Sequence, residues 1–148
     1  MAIEGSASAE IEAPIERVYA VAADVEHLPR WQPEVKSAEV LERDAAGNQV
    51  LVRTETDTKV RTLAADLRFD YDEPSGLRWS QERGDVKSLD GSWAFSDLGG
   101  ARTRATYSIR VDLGRMLGMV VRGPVVDALR RHLIDSMPPK LKEEVEGG

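Results

Sequence analysis

The sequence predicts an α+β fold, a curved antiparallel sheet of about seven strands wrapped around a long C-terminal helix, with two short helices after the first strand. Three observations predict it. From Val35 to Asp112 apolar and polar residues alternate persistently, the period of half-buried strands, and turn-forming groups interrupt the alternation at short intervals. After Gly114 the apolar spacing lengthens to that of a helix face. Ahead of both, prolines confine a helical pattern to two short stretches.

The first strand is read from Ser6 to Glu12, where Ala7, Ala9 and Ile11 alternate with polar residues. Pro14 then occupies a first-turn position, where its missing N–H is tolerated, and Ile15, Val18, Tyr19 and Ala22 predict a helix of about ten residues. Asp24 caps a second short turn through Leu28, and Pro29 and Pro33, on either side of Trp31, prevent a long continuation.

Consecutive hairpins follow, with turns at Ala45–Asn48, Glu73–Gly76, Gly84-Asp85 and Gly99-Gly100. Leu63, Ala65, Leu67, Phe69 and Tyr71 share one parity, and Thr62, Asp66, Arg68 and Asp70 take the other. Leu77 and Trp79, then Leu89, Trp93 and Phe95, then Ala105, Tyr107, Ile109 and Val111 repeat the pattern, so the sheet has one buried face. In the last segment Pro124 opens a helix whose stripe is Val125, Leu129, Leu133 and Met137, flanked by Val126 and Ile134. The unpaired inner face of the sheet is the surface left to bury that stripe. Pro138-Pro139 is expected to kink or break the helix before the stretch from Lys140 to Glu146. Residues 1–148 read as a single domain, without repeat, linker or low-complexity segment.

Composition narrows the function. A net charge of -6 and an isoelectric point near 5.0 are the wrong sign for gripping phosphate backbones or anionic lipid surfaces, so no nucleic-acid partner is expected. Without cysteine the chain has no disulfide, zinc–thiolate site or thiol nucleophile. The two histidines, His27 and His132, form no metal motif, and nucleotide-binding loops and the serine-hydrolase elbow are absent, so neither metal nor cofactor is expected. The first residues include Glu4 and Glu10 and no unbroken apolar run, hence no signal peptide or membrane span, and a cytoplasmic location is expected.

Two local patterns resemble a known family. Ala13-Pro14-Ile15-Glu16-Arg17-Val18-Tyr19 followed by Asp24-Val25-Glu26-His27-Leu28-Pro29-Arg30-Trp31 resembles the opening of the polyketide cyclase/dehydrase branch of the START-like (SRPBCC) superfamily. The segment from Gly84 to Phe95, followed by Gly99 to Tyr107, resembles the paired last strands of that branch, and the likeness extends to its coenzyme Q-binding and ribosome-associated toxin subgroup. This resemblance implies a helix-grip fold with a pocket for a hydrophobic small molecule between sheet and helix.

The residues independently point to such a pocket. One helix offers an apolar stripe about 10 Å wide, narrower than the concave face of a curved sheet, and with aromatics at 5% of the chain few bulky side chains can fill the difference. Parity places Leu67, Phe69, Tyr71, Trp79, Trp93, Phe95, Tyr107, Leu129, Leu133 and Met137 on its walls, with Trp31 at the entrance. A ligand burying about 350 Å² of apolar surface gains on the order of 9 kcal/mol before association costs, which gives micromolar binding at best. For catalysis the inward-facing candidates are Arg61 and Tyr107, with Arg83, Gln81 and His132 behind them, although His132 and His27 read as solvated histidines. Three roles remain open at this level: binding or transport of a lipid, isoprenoid or polyketide-like molecule; a polyketide aromatase/cyclase or dehydratase; and a protein-interaction module. Oligomeric state is not encoded in any of these patterns.

Overall fold

The structure is a computed structural model that describes residues 2–59, 61–119 and 121–147. Its elements follow the predicted order: β1 (Ala2–Ile11), α1 (Ile15–Ala23), a 3-10 helix (Val25–Arg30), then β2 (Val35–Arg43), β3 (Gln49–Asp57), β4 (Thr62–Asp72), β5 (Gly76–Gly84), β6 (Ser88–Gly99) and β7 (Arg102–Asp112). Among the described residues these strands form one antiparallel sheet in the order β1-β7-β6-β5-β4-β3-β2. Consecutive hairpins build everything from β2 to β7, and β1 closes beside β7. The connector between β1 and β2 therefore crosses from one edge of the sheet to the other. Contacts of α1 with β6 and β7, and of the 3-10 helix with β2 and β3, trace that crossing.

The first strand begins earlier than the alternation of Ala7, Ala9 and Ile11 suggests. Its pairing with β7 runs from Ala2 opposite Asp112 to Ile11 opposite Thr103, and Ile3 is buried. Gly5 hides this extension in the sequence because it occupies an inward position without an apolar side chain. A Cβ there would stand 3.4 Å from Ile134 Cδ1, in van der Waals contact, so the C-terminal helix packs directly over this position of β1.

After β7 come α2 (Gly114–Gly118) and the long C-terminal helix, which comprises α3 (Pro124–Arg130), a π-turn (Arg131–Asp135) and α4 (Met137–Gly147). The π-turn explains how the helix survives Pro138-Pro139. Ser136 donates its N–H to the Arg131 carbonyl, one residue further back than in an α-helix, at 3.1 Å. The two prolines then fall in the first turn of α4, where an N–H is not needed. The expected break is replaced by a one-residue widening just ahead of the prolines. It also re-registers the apolar stripe: Leu129 is followed by Ile134 rather than Leu133 as the next fully buried residue, then by Met137, Leu141 and Val145. Val125, expected in the stripe, is exposed in the first turn of α3, where its neighbour Val126 is half-buried instead.

Candidate ligand cavity

The inner face of the sheet and the C-terminal helix do not meet completely. Between them lies a cavity of about 170 Å³. An apolar cavity of about 150 Å³ can stay dry and hold a benzene-sized guest, so this space is of ligand scale. Leu67 and Phe69 of β4, Trp79 of β5, Trp93 of β6 and Tyr107 of β7 line it, with Leu129, Leu133 and Met137 on the helix side.

Three of the expected site residues lie outside the cavity lining. Trp31 is buried at the end of the connector with its ring centroid 6.5 Å from Trp93, in the core rather than at an entrance. Phe95 lies two residues along β6 from Trp93, beneath α1, where it meets Tyr19 edge-on at 6.4 Å. Tyr71 is near the end of β4 and turns its hydroxyl to the Gln49 carbonyl at 2.6 Å. Phe95 and Tyr71 keep the predicted inward parity, but the cavity occupies only the part of the concave face that α1 and the connector leave uncovered.

The wall also contains residues that the sequence reading misses. Thr54 and Thr56 of β3 face the cavity, a placement legible in their alternation with Arg53, Glu55 and Asp57. Gln32 and Glu34 face it from the connector, where no periodicity marks them.

A ladder of rings gives the sheet wall its rigidity. Centroids lie 4.9 Å apart for Trp93 and Tyr107, 5.8 Å for Trp79 and Tyr107, and 5.7 Å for Phe69 and Trp79. Trp79 on β5 reaches Tyr107 on β7 although β6 lies between them, because its neighbour on β6 is Gly91. A Cβ on Gly91 would collide with the Trp79 indole. Gly91→Ala is therefore expected to displace that ring and destabilise the fold by about 1–3 kcal/mol, measured by urea unfolding. An unchanged midpoint would show that the indole is free to move aside.

The catalytic candidates have different environments. Tyr107 is buried, and burial together with the charge of Glu34 holds its hydroxyl well above the ordinary tyrosine value. It therefore stays protonated at neutral pH, suited to donating a hydrogen bond and unsuited to acting as a base. Arg61 reaches the cavity from the approach to β4 while remaining exposed, and its main chain is tied to Thr58 through the Thr58 hydroxyl at 2.8 Å. Arg83 is exposed, because β4 and β5 slip in register between its pair with Asp66 and the Gln81–Leu67 pair. Gln81 donates to the Val86 carbonyl at 2.8 Å and does not line the cavity. His27 is exposed and bonded to Asp24 at 2.7 Å. His132, expected to be solvated, is half-buried, with its Nε2 enclosed and unpartnered among the described residues. No metal-holding group of His, Asp or Glu occurs among the described residues, and none of their helices is long and apolar enough to cross a membrane.

Residues 11–137 match the family model described as polyketide cyclase / dehydrase and lipid transport. The chain belongs to this family. No curated protein matches the sequence. Among solved structures, a START superfamily protein from Mycobacterium smegmatis superposes with a TM-score of 0.84 at 21% identity, covering 97% of each chain. A protein from Thermus thermophilus is similar at 27% identity, with a TM-score of 0.82 and 97% of each chain covered. The Zhui aromatase/cyclase from a Streptomyces species gives 0.78 at 19% identity, over 99% of this chain and 94% of its own. This member of the polyketide cyclase/dehydrase and lipid transport family thus has the START-like helix-grip fold, and its cavity lies in the grip between sheet and helix.

Proposed function

We propose that the protein binds a hydrophobic small molecule, a lipid, isoprenoid or polyketide-like compound, in the cavity between sheet and C-terminal helix, and carries it unchanged. The observation that supports this reading is the cavity itself, walled by Trp79, Trp93, Leu129 and Met137 against an otherwise well-buried core. The adaptable Met137 side chain suits a site that tolerates several shapes. A second reading, aromatase/cyclase or dehydratase chemistry on a polyketide, draws support from Arg61, whose fork of donors is suited to a ligand carbonyl or carboxylate.

Native mass spectrometry of protein purified from its source is expected to detect a retained apolar compound. Ala65 on β4 faces the cavity, and Ala65→Phe is expected to fill it, reducing retention by at least about tenfold while leaving the unfolding midpoint unchanged or raised. Full retention by Ala65→Phe would place the ligand elsewhere, and a wild-type protein that neither retains nor takes up any apolar compound would end the binding reading. Turnover of a polyketide by wild type that disappears in Arg61→Ala would favour the second reading.

A further inference from the structure

One end of the cavity is not apolar. Glu34 stands in the connector just before β2, where the Asp57 N–H donates to its main-chain carbonyl at 2.7 Å and holds it in place. Its side chain is 2% exposed, and Oε2 accepts from Lys140 Nζ at 2.7 Å across to the first turn of α4. The other carboxylate oxygen, Oε1, is enclosed and has no hydrogen-bond partner among the described residues. A buried carboxylate oxygen without a donor is costly, and such groups in folded proteins have a reason. Glu34 is itself part of the cavity wall.

Two further polar groups share this wall. Gln32, two residues earlier, is buried and lines the cavity, and no side-chain hydrogen bond to it is found among the described residues. The Tyr107 hydroxyl likewise bonds none of them, and lies near enough for the Glu34 charge to act on it. Beside Thr54, Thr56, Thr58 and Arg61, the polar part of the wall thus includes a carboxylate whose Oε1 lacks a donor, next to groups able to donate or accept.

We propose that Glu34 is the polar anchor of the ligand: Oε1 accepts a hydrogen bond from a hydroxyl or N–H on an otherwise apolar molecule, so the cavity selects neutral alcohols and phenols over carboxylates of the same skeleton. This rests on the cavity being the ligand site. A carboxylate guest would bring acceptor oxygens and a like charge against Oε1, the Lys140 ammonium is already engaged by Oε2, and Arg61, the other cation of the lining, is exposed to solvent at the approach to β4. A neutral hydroxyl supplies the missing donor, and a hydrogen bond to a charged acceptor is among the stronger ones.

The test uses three probes with one ring skeleton, naphthalene, naphthol and naphthoate, titrated at neutral pH into the full-length protein and followed by calorimetry. Wild type is expected to bind naphthol at least about tenfold tighter than naphthoate, with naphthalene between them. In Glu34→Gln, checked for folding by circular dichroism, the gap is expected to narrow to about threefold or less, chiefly because naphthoate binds better. A gain of binding for the anion is not what a general loss of structure would produce. The wild-type ranking needs no variant and tests the idea alone if Glu34→Gln misfolds. If naphthalene binds but naphthol and naphthoate bind equally, or if Glu34→Gln leaves their ratio unchanged, the anchor is wrong and the cavity reading stands. If none of the three binds wild type, both fall.

Discussion

Trp93→Ala is expected to lower the folding free energy by about 3–5 kcal/mol, the largest effect of any single truncation on the sheet wall. The indole is 3% exposed and sits where three groups of structure meet. It lies over Phe95 at 5.9 Å, against Tyr107 at 4.9 Å, and under Trp31 of the connector at 6.5 Å. Its removal deletes transfer free energy and leaves a hole that the paired strands β5 and β7 hold open, since Leu77 and Tyr107 are fixed opposite it by register. The measurement is the shift of the urea midpoint at constant slope. A loss below about 1 kcal/mol would mean that the neighbouring rings collapse into the space. Trp79→Ala, at a ring that is only half-buried, is expected to cost less.

Lys140→Met is expected to destabilise the protein by about 2–4 kcal/mol, far more than the loss of an ordinary surface cation. The lysine is 22% exposed and its partner Glu34 only 2%, so the substitution strands a carboxylate in the interior while removing little apolar contact. Arg78 and Asp70, 2.8 Å apart, are 75% and 73% exposed, and breaking that pair should change stability by less than about 1 kcal/mol. The decisive comparison is the double variant Glu34→Leu with Lys140→Met, which is expected to recover most of the loss because an apolar pair replaces the buried ions. Equal losses in the single and double variants would show that Lys140 acts through its own packing and not by neutralising Glu34.

The parts of this architecture that are legible in the sequence are those where one periodic signal dominates. Leu63, Ala65, Leu67, Phe69 and Tyr71 announce the inner face of β4 because a two-residue repeat has only two sides, and the same logic places Trp79, Trp93 and Tyr107 on the cavity. Periodicity does not tell how far along a strand the covering layer extends, which is why Phe95 and Tyr71 share the parity of the wall without reaching the cavity. The C-terminal helix is readable as a helix, but its π-turn is not, since one extra residue within a turn leaves no mark in a stripe where Leu133 and Ile134 are both apolar. The register slip ahead of Arg83 is hidden because Gln81, Glu82 and Arg83 are all polar, so the extra residue leaves no break in the pattern. Glu34 is the case in which composition misleads: a glutamate between proline and valine reads as solvated, and only the long-range approach of Lys140, more than a hundred positions later, makes its burial tolerable.

The C-terminal helix carries two duties along its length, with the π-turn inside the part that serves the first. Leu129 ahead of the π-turn, Leu133 and Ile134 within it and Met137 just after it border the chamber, whereas Leu141 and Val145, further along α4, are buried outside the chamber lining in the part of the helix that meets β1 and α1. Because an α-helix advances about 100° per residue, the inserted residue gives each half its own facing direction. Descendants of this chain can therefore reshape the guest they accept by changing the helix from Leu129 to Met137, while Leu141 and Val145 continue to clamp the scaffold.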